Sequence, residues 1–242
     1  MFHHFTLPAL TGAQEPAMET LLRRIDHIAV RCADSAVLFD FFTERLGLPV
    51  AWPLAKYPGY STGGVKLGNL NLEFLSGTLV GDKVDPASFY GLVLEPGPLS
   101  KVMDELKARG CAPSAPETTN FEMEGRKLAL WTNVSLETLC RHPAYIVYLC
   151  EYSPFVKQRL SVHPASGPLG PLGILSVRQV VLSTRDLPRA LGEWRALMAP
   201  EELAEEGTCT FPQGATLRLV AGSEDRLQRL VLEVDSLARA RE

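Results

Sequence analysis

One order of expected elements, a strand, a helix and then further strands, recurs along this chain, and a repeat at a domain-like period constrains architecture more than any single element does. In the first copy the β-rich run Arg24 to Arg31 precedes Asp34, a residue suited to cap a helix. Val37, Leu38, Phe41, Phe42 and Leu46 then recur at helical spacing opposite Asp40, Glu44 and Arg45, so the helix is expected to lay an aromatic stripe on a sheet. Gly47 and Pro49 end it. Val50 to Trp52, Gly64 to Leu67 and Leu70 to Leu75 read as strands, the last two joined at Gly68-Asn69, while Lys56 to Tyr60 reads as an exposed loop. The order is β-α-β-β-β.

A second copy starts at Phe89 to Leu94 and continues through a helix from about Pro98 to Gly110. Two strands follow around Glu124-Gly125, with Lys127 to Trp131 the better of them, and Tyr145 to Tyr152 closes the unit. Beyond the Pro- and Gly-rich stretch Pro164 to Gly173, a shortened third copy runs from Ser176 to Leu182 through a helix at Leu187 to Met198 to strands at Thr208 to Phe211 and Ala215 to Val220. Leu230 to Val234 resembles the opening strand of the second copy, the start of a truncated fourth. The expected layout is a leader over 1–22, a paired domain over 23–162 and a partial second domain over 163–242.

Composition narrows the function classes. A 46% hydrophobic content supports a folded core, and a net charge of −4 without a basic block argues against a nucleic-acid partner. Five scattered cysteines without a Cys-x-x-Cys pair read as thiols in a reducing compartment. Neither a signal peptide nor an apolar run long enough for a membrane span is legible, so a soluble, cytoplasmic protein is expected.

The residues Ile25-Asp26-His27-Ile28-Ala29-Val30, Phe42-Thr43-Glu44-Arg45-Leu46-Gly47-Leu48-Pro49 and Asn71-Leu72-Glu73-Phe74-Leu75 resemble the vicinal oxygen chelate superfamily of glyoxalases, extradiol dioxygenases, certain epimerases and antibiotic-resistance proteins. Tyr148-Leu149-Cys150-Glu151-Tyr152, with His163-Pro164 downstream, is similar to its glyoxalase-like branch. The resemblance implies an α+β fold of tandem βαβββ modules forming a cupped, incomplete barrel, with metal ligands from the first and last strand of each module. Carried over, the ligands are His27, Glu73 and Glu151, and the fourth position falls on Gly91, which cannot ligate. The ion would be divalent, with Mn, Fe, Zn and Mg all open. The expected activity is a lyase, isomerase or dioxygenase acting on a small oxygen-rich molecule. A metal-free protein binding or sequestering a small molecule in the same cup is the alternative, and an interaction subunit with a filled cup is a third reading. A homodimer is a possible way to cover the edge of the unfinished fourth unit.

Strand parity adds a physical reading of these positions. Glu73 shares a face with Asn71 and Leu75, as a residue lining a wet cleft would. Glu151 ends an apolar row with Val147 and Leu149, where a carboxylate needs a partner or a metal. Asp26 points away from His27 on an ideal strand, which argues against a supporting role. Each residue alone has an ordinary reading: a structural histidine, or exposed strand carboxylates. Trp52, Tyr57, Tyr60 and Trp131 are candidate pocket-lining aromatics, with core packing the simpler reading for Trp131. His3-His4 reads as a tail, and His142 and His163 as loop residues before prolines. In the third copy Gln179 and Arg218 stand where His27 and Glu73 stand in the first, and an arginine there repels a cation, so that half is expected to shape rather than hold a metal site.

Overall fold

Leu22–Arg31, the first strand (β1), is buried along almost its whole length because it lies at the middle of a sheet and faces packed side chains on one surface and polar partners on the other. The computed structural model describes residues 21–81, 86–123, 126–139, 145–160, 167–198 and 202–241. His3, His4, Cys140, His142, His163 and the Glu124-Gly125 turn lie outside the described residues.

After β1, Asp34 accepts a hydrogen bond from the Ala36 N–H and opens α1 (Ser35–Asp40), which continues as a wider π-helical turn over Phe41–Arg45. The widened turn changes the face that packs. Leu38, Phe39, Phe42 and Leu46 meet the core, and Phe42 lies against Phe74 at 4.9 Å between ring centroids. Val37 and Phe41, expected in the stripe, are 63% and 46% exposed. Three strands complete the module: β2 (Val50–Tyr57), β3 (Tyr60–Lys66) and β4 (Asn71–Ser76). The expected loop at Lys56 to Tyr60 is instead a tight hairpin, with Tyr57 paired to Tyr60 across Pro58-Gly59 and Gly59 at φ +84°.

The second module repeats the plan with β5 (Ser88–Pro96), α2 (Leu99–Ala108), β6 (Glu117–Met123), β7 (Arg126–Ser135) and β8 (Ile146–Tyr152), followed by a helix the sequence did not announce, α3 (Pro154–Leu160). Together the modules build one eight-stranded sheet in the order β2-β3-β4-β1-β5-β8-β7-β6. The two opening strands meet antiparallel at its centre, and each pairs in parallel with the closing strand of its own module. This is the expected mixed, cupped, incomplete barrel, with the helices on its outer face.

A smaller sheet, β10-β11-β9-β12, holds the third copy: β9 (Ile174–Thr184), α4 (Leu187–Leu197), β10 (Thr208–Cys209) and β11 (Thr216–Ala221), with β12 (Arg226–Val234) standing to β9 as β5 stands to β1. The likeness extends to backbone irregularities. Pairing of β1 with β5 slips at Arg23, Asp26 and Tyr90, and pairing of β9 with β12 slips at Leu175, Arg178 and Gln228, the corresponding positions of the corresponding strands. Asn69 ties the sheets together: its side-chain amide donates to the Val177 carbonyl and its oxygen accepts from the Val177 N–H, both at 2.8 Å. One buried apolar cluster runs through both sheets, including Phe74, Leu92 and Leu149 on one side and Val180, Trp194 and Leu217 on the other.

Candidate functional site

Asp26 is the extra residue of a β-bulge, opposite no partner between the Ile25–Leu94 and His27–Val93 pairs. A bulge sets two consecutive side chains on the same face, which a strict alternation forbids. Asp26 Oδ2 therefore lies 2.7 Å from His27 Nδ1, in the cup and not away from it. The same Oδ2 accepts a hydrogen bond from the Tyr152 hydroxyl at 2.8 Å, and Arg24 lies 3.4 Å from Oδ1 while donating to Glu95 at 2.7 Å. On the other side of the ring, His27 Nε2 stands 3.3 Å from Glu73 Oε2, and Glu73 Oε1 accepts from the Thr62 hydroxyl at 2.6 Å. The chain Tyr152–Asp26–His27–Glu73–Thr62 thus crosses the central strands of both modules.

Burial alone would push the His27 imidazole toward its neutral form, but the hydrogen bonds and charges of Asp26 and Glu73 outweigh it and lift the pKa to about 10. Burial would also raise Asp26; the His27 hydrogen bond and charge, then Arg24 and Tyr152, hold its pKa below the ordinary carboxylate value. Tyr152 is pushed well above the usual phenol range, by burial first and then by the Asp26 charge, so it stays a hydroxyl donor. At neutral pH these shifts hold Asp26 as the carboxylate and His27 as the imidazolium.

The expected ligand set is only partly brought together. His27 and Glu73 meet, but Glu151 follows Val147 and Leu149, both 0% exposed, onto the helix-covered face. There its carboxylate accepts from the Leu99 N–H at 3.2 Å, satisfying a free donor at the start of α2. The partner demanded by a carboxylate at the end of an apolar row is a helix terminus. Gly91 packs against Ala29, where a Cβ would come within 3.0 Å of the alanine methyl, so the fourth position is closed by contact. Among the described residues no three His, Cys, Asp or Glu side chains form a set able to hold a metal ion. Asp26 on Nδ1 would orient a metal-ligating imidazole well, but two donors fall short of the three or four that a catalytic ion needs.

Of the aromatic candidates, Trp52 stands edge-on to His27, 5.6 Å between ring centroids, and its indole occupies the space a Cβ at Gly64 would take. Tyr57 and Tyr60 stack at 5.0 Å on the hairpin. Trp131 pairs with Tyr152 across β7 and β8 and is half-buried, which places it on the cup face and not in the core. Asp26, Thr62 and Tyr152 are the site residues that sequence reasoning missed. Tyr152 was accessible in principle, because it alternates with the apolar row that ends at Glu151.

A cavity of about 920 Å³ lies on the opposite side of the large sheet, between Leu38, Phe42 and Phe74 and the strand residues Leu227, Leu230 and Leu232. Among the described residues no helix is long and apolar enough to cross a membrane, and Cys32, Cys111, Cys150 and Cys209 are free thiols.

No protein-family model and no curated protein matches the chain. Among solved structures, a hypothetical protein from Staphylococcus aureus is similar over 88% of this chain and 92% of its own, with 11% identity and a TM-score of 0.63, a likeness of fold alone. Methylmalonyl-CoA epimerases are also similar in part. That of Streptomyces coelicolor, in complex with 2-nitronate-propionyl-CoA, is 16% identical over 55% of this chain and 99% of its own, with a TM-score of 0.43. That of Mycobacterium tuberculosis is 12% identical over 60% and 97%, with a TM-score of 0.42.

Proposed function

We propose that this vicinal-oxygen-chelate-like protein binds a small oxygen-rich molecule in the cup of its first two modules, and does so through direct hydrogen bonds to His27 and Glu73. The observation that carries this reading is the 3.3 Å separation of His27 Nε2 and Glu73 Oε2 beside the 2.7 Å contact on Nδ1. A charge-assisted N–H···O bond closes to about 2.7–2.9 Å. The Nε2–H is thus under-used and can be shared with a ligand oxygen, while Glu73 accepts from a neighbouring hydroxyl. Trp52, Tyr57, Tyr60 and Trp131 supply apolar walls around such a ligand. The metal-dependent lyase, isomerase or dioxygenase that the resemblance implies would need Glu151, which caps α2 instead.

Metal analysis of the purified full chain tests the reading, together with a thermal-shift screen of small hydroxy-carbonyl compounds. The expected result is far less than one equivalent of bound metal and compounds that raise the unfolding temperature of the parent but not of Glu73→Gln. About one equivalent of a divalent metal, lost in both His27→Ala and Glu73→Ala, would overturn it in favour of the metal-dependent enzyme.

A further inference from the structure

The matching backbone slips give a residue-by-residue equivalence between the two sheets. Asp26 and Arg178 are the extra residues of the same bulge, and His27 corresponds to Gln179. Ala29 pairs with Glu73 on one side and Gly91 on the other; its counterpart Val181 pairs with Arg218 and Arg229. The positions that carry Asp26, His27, Glu73 and Gly91 in the first half therefore carry Arg178, Gln179, Arg218 and Arg229 in the second. The charge of the cup is inverted.

Paired residues on neighbouring strands share a face, so Arg218 and Arg229 flank Val181 on one surface of the small sheet, with Cα atoms about 10 Å apart across two strand spacings. Arg178, placed by its bulge beside Gln179, joins them on β9. All three arginines are exposed. None has a carboxylate within ion-pairing distance among the described residues, whereas Arg24, Arg109, Arg185, Arg189, Arg226 and Arg239 each do. The acid at one end of this face, Glu233, is held by the Ser176 hydroxyl at 2.8 Å, in the place where Glu95 takes Arg24 in the first half. Three unneutralised guanidinium groups on one face of the sheet form a surface whose complement is a compact group with several anionic oxygens.

We propose that this face of the second sheet binds the phosphate group of a small phosphomonoester, through Arg178, Arg218 and Arg229 with Gln179 at its centre. The site is separate from the His27 cup and does not depend on what that cup holds.

Because the arginines are exposed, their replacement leaves the fold intact, and circular dichroism of each variant confirms it. Inorganic phosphate and glycerol phosphate are titrated into the full chain against chloride at matched ionic strength, with backbone NMR as the readout. The expected result is saturable shifts on β9, β11 and β12, weakened about tenfold or more in Arg218→Gln/Arg229→Gln, a loss of at least 1.4 kcal/mol. Arg195→Gln, on α4, leaves them unchanged. Shifts that do not saturate, that match those from chloride, or that persist in the Arg178→Gln/Arg218→Gln/Arg229→Gln variant would overturn the assignment. So would saturable binding of oligonucleotides without any response to the monoester, or a phosphate-driven doubling of mass by light scattering.

Discussion

Asp26 and His27 are neighbours in sequence and still share one hydrogen bond between their side chains, Oδ2 to Nδ1 at 2.7 Å, because a bulge turns both into the cup. Both side chains are nearly excluded from water, so the charges depend on each other. Removing one partner of a buried ion pair leaves the other unpaired and costs about 3–5 kcal/mol. Asp26→Asn is therefore expected to lower the urea midpoint strongly, whereas a change within about 0.5 kcal/mol would mean that the pair is not closed in solution.

The same pair sets a pH dependence. His27 binds its proton more tightly folded, at about 10, than at its ordinary value of 6.5, so its contribution is fully present below about pH 6.5 and is lost as pH rises through about 10. Asp26 works in the opposite sense: its lowered pKa gives a contribution present above the ordinary 3.8 and lost as pH falls below it. Chemical denaturation from pH 4 to pH 10 should show the parent losing stability on the alkaline side relative to His27→Gln. Parallel curves for the two proteins would contradict a protonated His27.

Glu151 is expected to behave as a helix cap. Glu151→Ala should cost about 1 kcal/mol through the exposed start of α2 and leave the NMR signals of His27 and Tyr152 in place. Perturbation of the His27 ring resonances by this variant would put Glu151 back in the cup.

Gly64 leaves room for the Trp52 indole, and a Cβ there would fall 2.4 Å from the ring. Gly64→Ala should displace the indole from His27, costing about 1–3 kcal/mol as overpacking does. Tryptophan fluorescence and the His27 ring shifts report the displacement directly; unchanged spectra would show that Trp52 does not rest there.

Asn69 is the side chain whose loss should separate the behaviour of the two sheets. Asn69→Ala removes both bonds to Val177 and is expected to cost about 2 kcal/mol. Hydrogen exchange should then speed up in β9 before the large sheet. Uniform acceleration across both sheets would indicate that the apolar interface, not Asn69, couples them.

Module order was legible because apolar periodicity and turn residues are local signals, and β1, β4, β5, α2 and α4 lie close to where the sequence places them, whereas β2 and β3 run on into the hairpin that replaces the expected Lys56 to Tyr60 loop. The site was harder to read, for two physical reasons. A period of two has no term for an inserted residue, so Asp26 was assigned to the wrong face. The apolar row Val147, Leu149 and Glu151 was recognised, but a row that apolar marks the covered face of a sheet, where a helix terminus is the nearest partner for a carboxylate. Phe41 departs from the expected stripe for a related reason: the π-helical turn that it opens rotates the stripe that a 3.6-residue period projects.

The same backbone slip presents Asp26 and His27 in one sheet and Arg178 and Gln179 in the other. One backbone geometry therefore accommodates opposite charges. The strand pairing and the side chains it displays are thus separable, since corresponding slips present opposite charges in the two sheets. Engineering can use that separation: the displayed positions of either sheet can be rewritten with new chemistry while the strand pairing that presents them is kept.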